Sequence, residues 1–247
     1  MNRPESRNAL NRELRHKLPE ALRAADADPD VDVVILTGTD PAFCAGLDLK
    51  ELGAGENRID DPAKSDAAPE GAGPFPPRTK PLIGAVNGVA ITGGFELALN
   101  CDFLIASERA AFADTHARVG VMPGWGLSVL LSQAIGVRRA REMSLSGNFM
   151  AATEAAQVGL VNRVVPHDQL LAVTQQLAED IVGNDQTGVR QMLATYESVS
   201  RTTVAQGWDI EARNARHFQK SVGFDPDEVE RRRLAIVERG RNQSRVD

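Results

Sequence analysis

Two short turns that contain glycine constrain this chain more than any other feature, because each follows a strand-like run of apolar residues. The first turn is Phe43-Cys44-Ala45-Gly46-Leu47-Asp48 and the second is Gly93-Gly94-Phe95-Glu96. Glycine lets the backbone approach a neighbouring group closely and leaves N–H groups free to donate. The two turns together could hold one developing oxyanion, and Glu96 adds a carboxylate capable of proton transfer, a pairing that suits chemistry on a thioester.

The runs around these turns predict a parallel α/β core. Residues 31–36 and 80–88 are compact apolar segments, which are typical of strands buried on both faces of a parallel sheet. A helix over residues 96–100 is expected soon after the second segment, and a third strand over residues 103–106. Strand, turn and helix units that repeat in this order favour parallel pairing.

Other segments have clear local patterns. Residues 8–25 carry leucines four apart on one helical stripe, with Pro19 expected to cause a kink or a break. Residues 111–113 are predicted to be extended and residues 122–126 to form a turn. Further helices are predicted at residues 127–135, 153–157, 168–182, 185–205 in part, and 227–239.

The length of 247 residues fits one catalytic body with a small appendage. We predict an α/β core over residues 1–190 and a helical region for assembly over residues 191–247. Residues 53–77 are rich in glycine, proline, alanine and acids and have almost no apolar periodicity. They predict a variable surface loop or a short helix.

Composition limits the kinds of binding partner and the cellular compartment that we expect for this chain. The formal net charge is -6 with basic residues dispersed among acids, which argues against nucleic acid. No apolar run reaches membrane-spanning length, and no secretory pattern follows the charged N-terminus. Cys44 and Cys101 lack the spacing of a disulfide framework or a metal site. We expect both to be small buried residues in a protein of the reducing cytoplasm, and no metal is required. His16, His167 and His217 are expected at solvated positions.

Several spaced blocks, in order from Asn2 to about Arg241, resemble the crotonase superfamily, which contains the enoyl-CoA hydratases and isomerases. The resemblance rests on the following blocks: Asn2-Arg3-Pro4, Asn8-Ala9-Leu10, residues 43–52, Lys80-Pro81, Asn87-Gly88, residues 93–98, Cys101-Asp102, residues 155–161 and Val164-Val165-Pro166.

The resemblance implies a spiral of ββα turns with a C-terminal helical region, assembled as a trimer or a hexamer. It implies an oxyanion hole made by the backbone N–H groups of Leu47 and Gly93. Glu96 would then activate the water that attacks C3 of a trans-2-enoyl-CoA, giving a 3-hydroxyacyl-CoA. No separate cofactor is implied, since coenzyme A enters as part of the substrate.

The resemblance also implies where the substrate is held. Coenzyme A would contact Lys50, Arg7, the backbone around Ser6, and the turn from Ala45 to Asp48. A glycine-rich turn that includes Gly124 and Trp125 would lie beside the acyl group. Trp125 stands where relatives carry a small residue, and it is expected to cap or narrow the acyl pocket.

One departure concerns the second acid of the site. Hydratases of the superfamily bring a second glutamate as the proton donor to C2, and in this chain the corresponding residue is His116. If residues 112–120 are extended, Asp114 and His116 point to the same side. Either could replace the glutamate, or the two could form a structural ion pair while Glu96 acts alone.

Another departure lies at the beginning of the chain. Relatives have one or two strands before the Asn2-Arg3-Pro4 motif, and this sequence starts at the motif. A truncation or a misassigned start codon is one explanation, and a missing strand would leave a sheet edge bare.

Three functions remain open on this evidence. Hydration of a 2-enoyl-CoA is preferred because Glu96 occupies the water-activating position. A double-bond isomerase needs only one base, although family isomerases usually keep it at position 116. A binding protein for acyl-CoA that has lost half of its acid–base pair is the third reading, because a fold alone does not fix a function.

Overall fold

Short strands and longer helices alternate along the chain, as the apolar runs predict. The computed structural model describes residues 1–54, 73–223 and 225–243. Its strands are β1 Val34–Thr37, β2 Ala42–Cys44, β3 Leu82–Val86, β4 Val89–Ile91, β5 Phe103–Ser107, β6 Ala111–Ala113, β7 Met150–Ala151 and β8 Arg163–Val165.

The strands form two sheets, and the chain alternates between them. One sheet has the order β1-β3-β5-β8 with every pair parallel, and the other has the order β2-β4-β6-β7 with only the last pair antiparallel. Each of three successive passes therefore adds one strand to each sheet before a helix follows. This arrangement confirms the predicted ββα spiral core.

The helices come between and after these strands along the chain. They are α1 Arg12–Ala27, α2 Leu49–Gly53, α3 Gly93–Leu99, α4 His116–Val119, α5 Leu127–Ile135, α6 Val137–Ser146, α7 Ala152–Gln157, α8 Leu170–Val182, α9 Gln186–Ser200, α10 Val204–Ser221 and α11 Pro226–Gln243. Short 3-10 turns cover Pro4–Ser6 and His167–Gln169. Within the described residues, no helix is long and apolar enough to cross a membrane.

The chain divides into two compact units, Met1–Arg190 and Gln191–Asp247. The first contains both sheets and the helices as far as α8, together with the first turn of α9. The second contains the rest of α9 with α10 and α11, where Thr203 and Gln206 form a reciprocal capping box at the start of α10.

The first unit has an apolar core between its sheets and helices. Phe43, Phe95 and Phe112 are fully buried, and the rings of Phe95 and Phe112 lie 5.5 Å apart between centroids. All five residues of β3 are buried, as predicted for a strand covered on both faces. The edge strand β1 buries only Leu36.

Several local predictions differ from the structure. Helix α1 is continuous through Pro19, so of the predicted kink or break the break does not occur. Helix α6 was not predicted at all. The condition under which Asp114 and His116 would point to the same side, an extended stretch over residues 112–120, is not met, since β6 ends at Ala113 and α4 begins at His116. His167 is only partly exposed and contacts Asp40 and Ser107. Most of the predicted loop at 53–77, residues 55–72, lies outside the described residues.

Candidate active site

Three parallel strands bring the candidate residues to one edge of the second sheet. β2, β4 and β6 are neighbours with the same direction, so their carboxyl ends meet. Leu47 follows β2, Gly93 follows β4, and Asp114 with His116 follows β6. Segments that are far apart in sequence therefore converge because of the strand order.

The two glycine turns touch one another. Gly46 has a φ of 89°, and a Cβ at this position would lie 2.8 Å from the Ile91 carbonyl oxygen and 3.4 Å from the Gly93 nitrogen. A Cβ on Gly94 would overlap the carbonyl oxygen of Cys44. Glycine is required at both positions, because the strand ends pack backbone against backbone.

The two predicted oxyanion donors remain available in this arrangement. Leu10 N–H binds the Gly46 carbonyl and Asp48 N–H binds the Leu10 carbonyl, which fixes the backbone around Leu47 without using its own N–H. Gly93 is the first residue of α3, where an N–H has no partner within the helix. Among the hydrogen bonds of the described residues, neither N–H is used.

Glu96 lies in the first turn of α3 and is 3% exposed. Its Oε1 accepts a hydrogen bond of 2.7 Å from the backbone N–H of Trp125. Asn100 fixes the other side of that residue by donating to the Trp125 carbonyl at 2.9 Å. One carboxylate oxygen of Glu96 is thus held, and Oε2 is left to face the neighbouring side chain.

That neighbour is His116, which joins Glu96 to Asp114. Nε2 of His116 lies 3.6 Å from Glu96 Oε2, and Nδ1 lies 2.6 Å from Asp114 Oδ1. All three side chains are almost fully buried. The imidazole therefore lies between two carboxylates, with Asp114 on the side away from Glu96.

The two carboxylates change how His116 titrates. Burial would lower the pKa of His116, but hydrogen bonding and the negative charges of Asp114 and Glu96 outweigh it and raise the pKa to about 9. Burial also opposes the charge on Asp114, yet the hydrogen bonds that it accepts lower its pKa. At neutral pH the pair is therefore an imidazolium beside a carboxylate.

Sequence reasoning missed Ser144, whose hydroxyl helps to lower the pKa of Asp114. It lies on α6, a helix that was not predicted. Asp114 Oδ1 also accepts the backbone N–H of His116 at 3.1 Å. No local pattern marks Ser144, because α6 is brought to α4 by tertiary packing.

Thr92 and Thr115 link the oxyanion turn to the acid–base turn, and sequence reasoning missed these residues as well. Thr92 has a φ of 53°, which is uncommon for a β-branched residue. Its N–H binds the Ala113 carbonyl, and its hydroxyl pairs with that of Thr115 at 2.5 Å. Unusual backbone conformations of this kind persist only where the surroundings hold them.

The predicted contacts for coenzyme A lie near the first turn. Arg7 and Lys50 have exposed side chains, whereas Ser6 and Ala45 are partly buried. Asp48 already pairs with Arg3 at 3.2 Å and accepts the Lys50 N–H. Gly124 is exposed and precedes Trp125, whose backbone N–H and carbonyl are both hydrogen-bonded.

A sequence model described as enoyl-CoA hydratase/isomerase matches residues 1–240. The chain belongs to this family. The observed spiral of strands and helices agrees with the membership, and the predicted resemblance to the crotonase superfamily is confirmed.

Curated members of the enoyl-CoA hydratase/isomerase family resemble this chain over most of their length. A protein named probable peroxisomal enoyl-CoA hydratase 1 from Arabidopsis thaliana is 38% identical over 90% of this chain and 82% of its own. A probable enoyl-CoA hydratase from Rhizobium meliloti is 39% identical over 86% of this chain and 82% of its own.

Solved structures titled as enoyl-CoA hydratases are similar as well. One from Mycobacterium tuberculosis is 52% identical with a TM-score of 0.73, covering 89% of this chain and 92% of that chain. One from Mycobacterium marinum is 30% identical with a TM-score of 0.81, covering 97% and 90%. The family and the fold are therefore established, and the roles of individual site residues remain predictions.

Proposed function

We propose that this chain hydrates trans-2-enoyl-CoA thioesters to 3-hydroxyacyl-CoA, with Glu96 as base and His116 as acid. The observation that carries the proposal is the ion pair between Glu96 and His116, which lies at the same sheet edge as the unused N–H groups of Leu47 and Gly93. Family membership and relatives named enoyl-CoA hydratase support it.

The proposed reaction begins at Glu96. Its carboxylate accepts a proton from water as the water oxygen bonds to C3 of the substrate. The π electrons of the C2–C3 double bond move towards the thioester, and the carbonyl oxygen becomes an enolate. The N–H groups of Leu47 and Gly93 stabilise that charge, each by about 2.7 to 4 kcal/mol for a well-placed donor.

His116 then completes the addition. The Nε2 proton bonds to C2, the thioester carbonyl forms again, and the imidazole becomes neutral. The proton held by Glu96 can return to Nε2 over the short separation of 3.6 Å between the two groups. The site is thereby restored without a proton from bulk solvent, and each positioned acid or base contributes about 10²- to 10⁴-fold.

The proposal assigns the remaining predicted residues to substrate binding. Arg7 and Lys50 are exposed cations that suit the phosphates of coenzyme A. The backbone of Ser6 and the turn from Ala45 to Asp48 would lie along the thiol arm. The Asp48 carboxylate fixes this turn through Arg3, so its contribution to binding is indirect.

Gly124 and Trp125 are assigned to the acyl side of the site. The Trp125 backbone is fixed to Glu96 and Asn100, so its indole has a defined position. Indole Cζ3 lies 3.5 Å from where a Cβ on Gly93 would be. The ring would therefore limit the space next to the thioester.

Assembly and location are further parts of the proposal. The second unit exposes large apolar side chains, which favours burial in a trimer or a hexamer. These include Met192, Tyr196, Val204, Trp208, Val222, Leu234 and Ile236. Two buried cysteines whose thiol pKa values are raised by burial are compatible with a reducing cytoplasm.

The decisive experiment follows the ultraviolet absorbance of the conjugated thioester in crotonyl-CoA and in longer 2-enoyl-CoA substrates. Wild type should consume them, and Glu96→Gln should lose about 10²- to 10⁴-fold in kcat. Gln keeps an oxygen that can accept the Trp125 N–H, so the variant tests the charge and basicity of Glu96. Glu154→Gln, at an exposed position on α7, is the matched control and should behave as wild type.

The two alternative functions predict different results in the absorbance assay and in a binding measurement. A double-bond isomerase would leave 2-enoyl-CoA unhydrated and would generate conjugated absorbance from 3-enoyl-CoA. A binding protein would bind acetyl-CoA in a calorimeter and turn over neither substrate. Either result would overturn the hydratase proposal.

A further inference from the structure

Thr92 and Thr115 each stand immediately before a helix, and neither side chain caps its own helix. Thr92 precedes α3 and Thr115 precedes α4, the helices that carry Glu96 and His116. A threonine at such a position ordinarily turns its hydroxyl to the free N–H groups of its helix. Within the described residues neither hydroxyl makes that bond, and the two hydroxyls pair with each other at 2.5 Å. The pair therefore joins the starts of the two helices.

Thr92 is held by contacts to three parts of the site. Its N–H donates to the Ala113 carbonyl of β6 at 2.9 Å, and its carbonyl accepts the Glu96 N–H of α3 at 2.9 Å. Its Cβ lies against the first glycine turn, 3.3 Å from where a Cβ on Gly46 would be. The φ of 53° is costly for a β-branched residue, so these contacts must hold it in place.

The residues next to the two threonines are those that the proposed reaction uses. Gly93 follows Thr92, which has a ψ of -115°. Because the peptide unit is planar, rotation about the Cα–C bond of Thr92 sets the direction of the Gly93 N–H. Thr115 stands between Asp114 and His116, whose side chains are bonded to each other at 2.6 Å. Movement of either threonine would therefore displace a donor of the site.

We propose that the hydroxyls of Thr92 and Thr115 are a positioning pair that holds the oxyanion donor Gly93 in place relative to the proton donor His116. The inference rests on the proposed hydration and deepens it. Neither threonine touches the substrate in this scheme. Hydration needs one donor at the thioester oxygen and another at C2 of the same substrate, and a misplacement of about 1 Å can cost about 10²-fold in rate.

The test is kcat and KM for crotonyl-CoA in variants that keep the branched shape and lose a hydroxyl. Thr92→Val and Thr115→Val should each lower kcat by about 10- to 10²-fold and change KM little, because coenzyme A is held elsewhere. The double variant should lose no more than the weaker of the two single variants, since both changes remove the same bond. Thr92→Ser keeps a hydroxyl and should retain most of the activity.

The matched control is Thr153→Val, which changes an exposed threonine of α7 and should behave as wild type. Losses that multiply in the double variant would show that the two hydroxyls act separately. An unchanged kcat in both single variants would show that the pair does not position the donors. Either result would overturn the inference.

A second readout reports on the oxyanion donors without turnover. Acetyl-CoA labelled with ¹³C at its carbonyl has no double bond to hydrate, and hydrogen bonds to the carbonyl oxygen lower its infrared stretching frequency. Wild type and Thr92→Ser should lower the frequency of the bound ligand. Thr115→Val should lower it less, although Thr115 adjoins the other donor, His116. Calorimetry on the same samples verifies that acetyl-CoA is bound.

The infrared measurement separates the positioning role from the proposed function. Absence of hydration by wild type, with the order of frequencies preserved, would refute the proposed function and keep the positioning role. A wild-type frequency for acetyl-CoA bound to Thr115→Val would overturn the inference.

Discussion

Nε2 of His116 faces Oε2 of Glu96 at 3.6 Å, although Glu96 lies in the first turn of α3 after β4 and His116 begins α4 after β6. The contact puts a proton donor directly beside the proposed base. A histidine at this position is therefore compatible with the proposed acid–base chemistry. The imidazolium keeps a proton that the neighbouring carboxylate helps to retain.

The proposed role of His116 predicts a loss in kcat. His116→Gln should lower kcat for crotonyl-CoA by about 10²- to 10⁴-fold and change KM little, because the donor acts on the reacting carbon and does not hold the coenzyme. Steady-state kinetics on purified variants measure both parameters. His16→Gln, at an exposed position on α1, is the control. An unchanged kcat in His116→Gln would leave Glu96 as the sole acid–base group.

The raised pKa of His116 predicts a pH-dependent contribution to stability. The pKa is about 9 in the folded protein against an ordinary value of 6.5. Folding therefore gains most from this group below about pH 6.5, and the gain is lost as pH rises through about 9. Urea unfolding of wild type and His116→Gln at several pH values measures it. The difference in unfolding free energy between the two should shrink from acid to alkaline pH, and a constant difference would contradict the titration.

Replacement of the neighbouring residues Gly93 and Gly94 by alanine should change the unfolding free energy by different amounts. In Gly94→Ala the new Cβ meets the backbone of Cys44, which cannot move without shifting β2, so the variant should lose about 1 to 3 kcal/mol of unfolding free energy. In Gly93→Ala the nearest atoms are side-chain atoms of Leu10 at 3.4 Å and Trp125 at 3.5 Å, which allows ordinary contact. Urea unfolding should find Gly93→Ala close to wild type, and equal losses in the two variants would show this reasoning to be wrong.

Trp125 should restrict the acyl chain. Trp125→Ala removes the indole near Gly93 but keeps the backbone N–H that binds Glu96. The ratio of kcat/KM for 2-decenoyl-CoA to that for crotonyl-CoA should rise by roughly tenfold, in line with the energy of a few methylene contacts. Phe149→Ala removes an exposed aromatic ring elsewhere in the first unit and should leave the ratio unchanged. An unchanged ratio in Trp125→Ala would show that the indole ring does not line the acyl pocket.

Much of the fold could be predicted because its signals are local. The apolar runs at β1, β3 and β5 and the helical pattern at α5 were recognised, since period and turn residues act over a few positions. Helix α6 was missed, because its mean composition is polar. The continuous helix through Pro19 shows that packing of α1 can override a local breaker.

The sequence by itself determined the family, the two glycine turns and the presence of Glu96, because those depend on residue types in a fixed local order. Only the tertiary structure decided that His116 lies between Glu96 and Asp114. An extended geometry over residues 112–120 would have set Asp114 and His116 on the same side. The turn into α4 instead places His116 between Asp114 and Glu96, because the direction of a side chain depends on how strands and helices pack at the sheet edge.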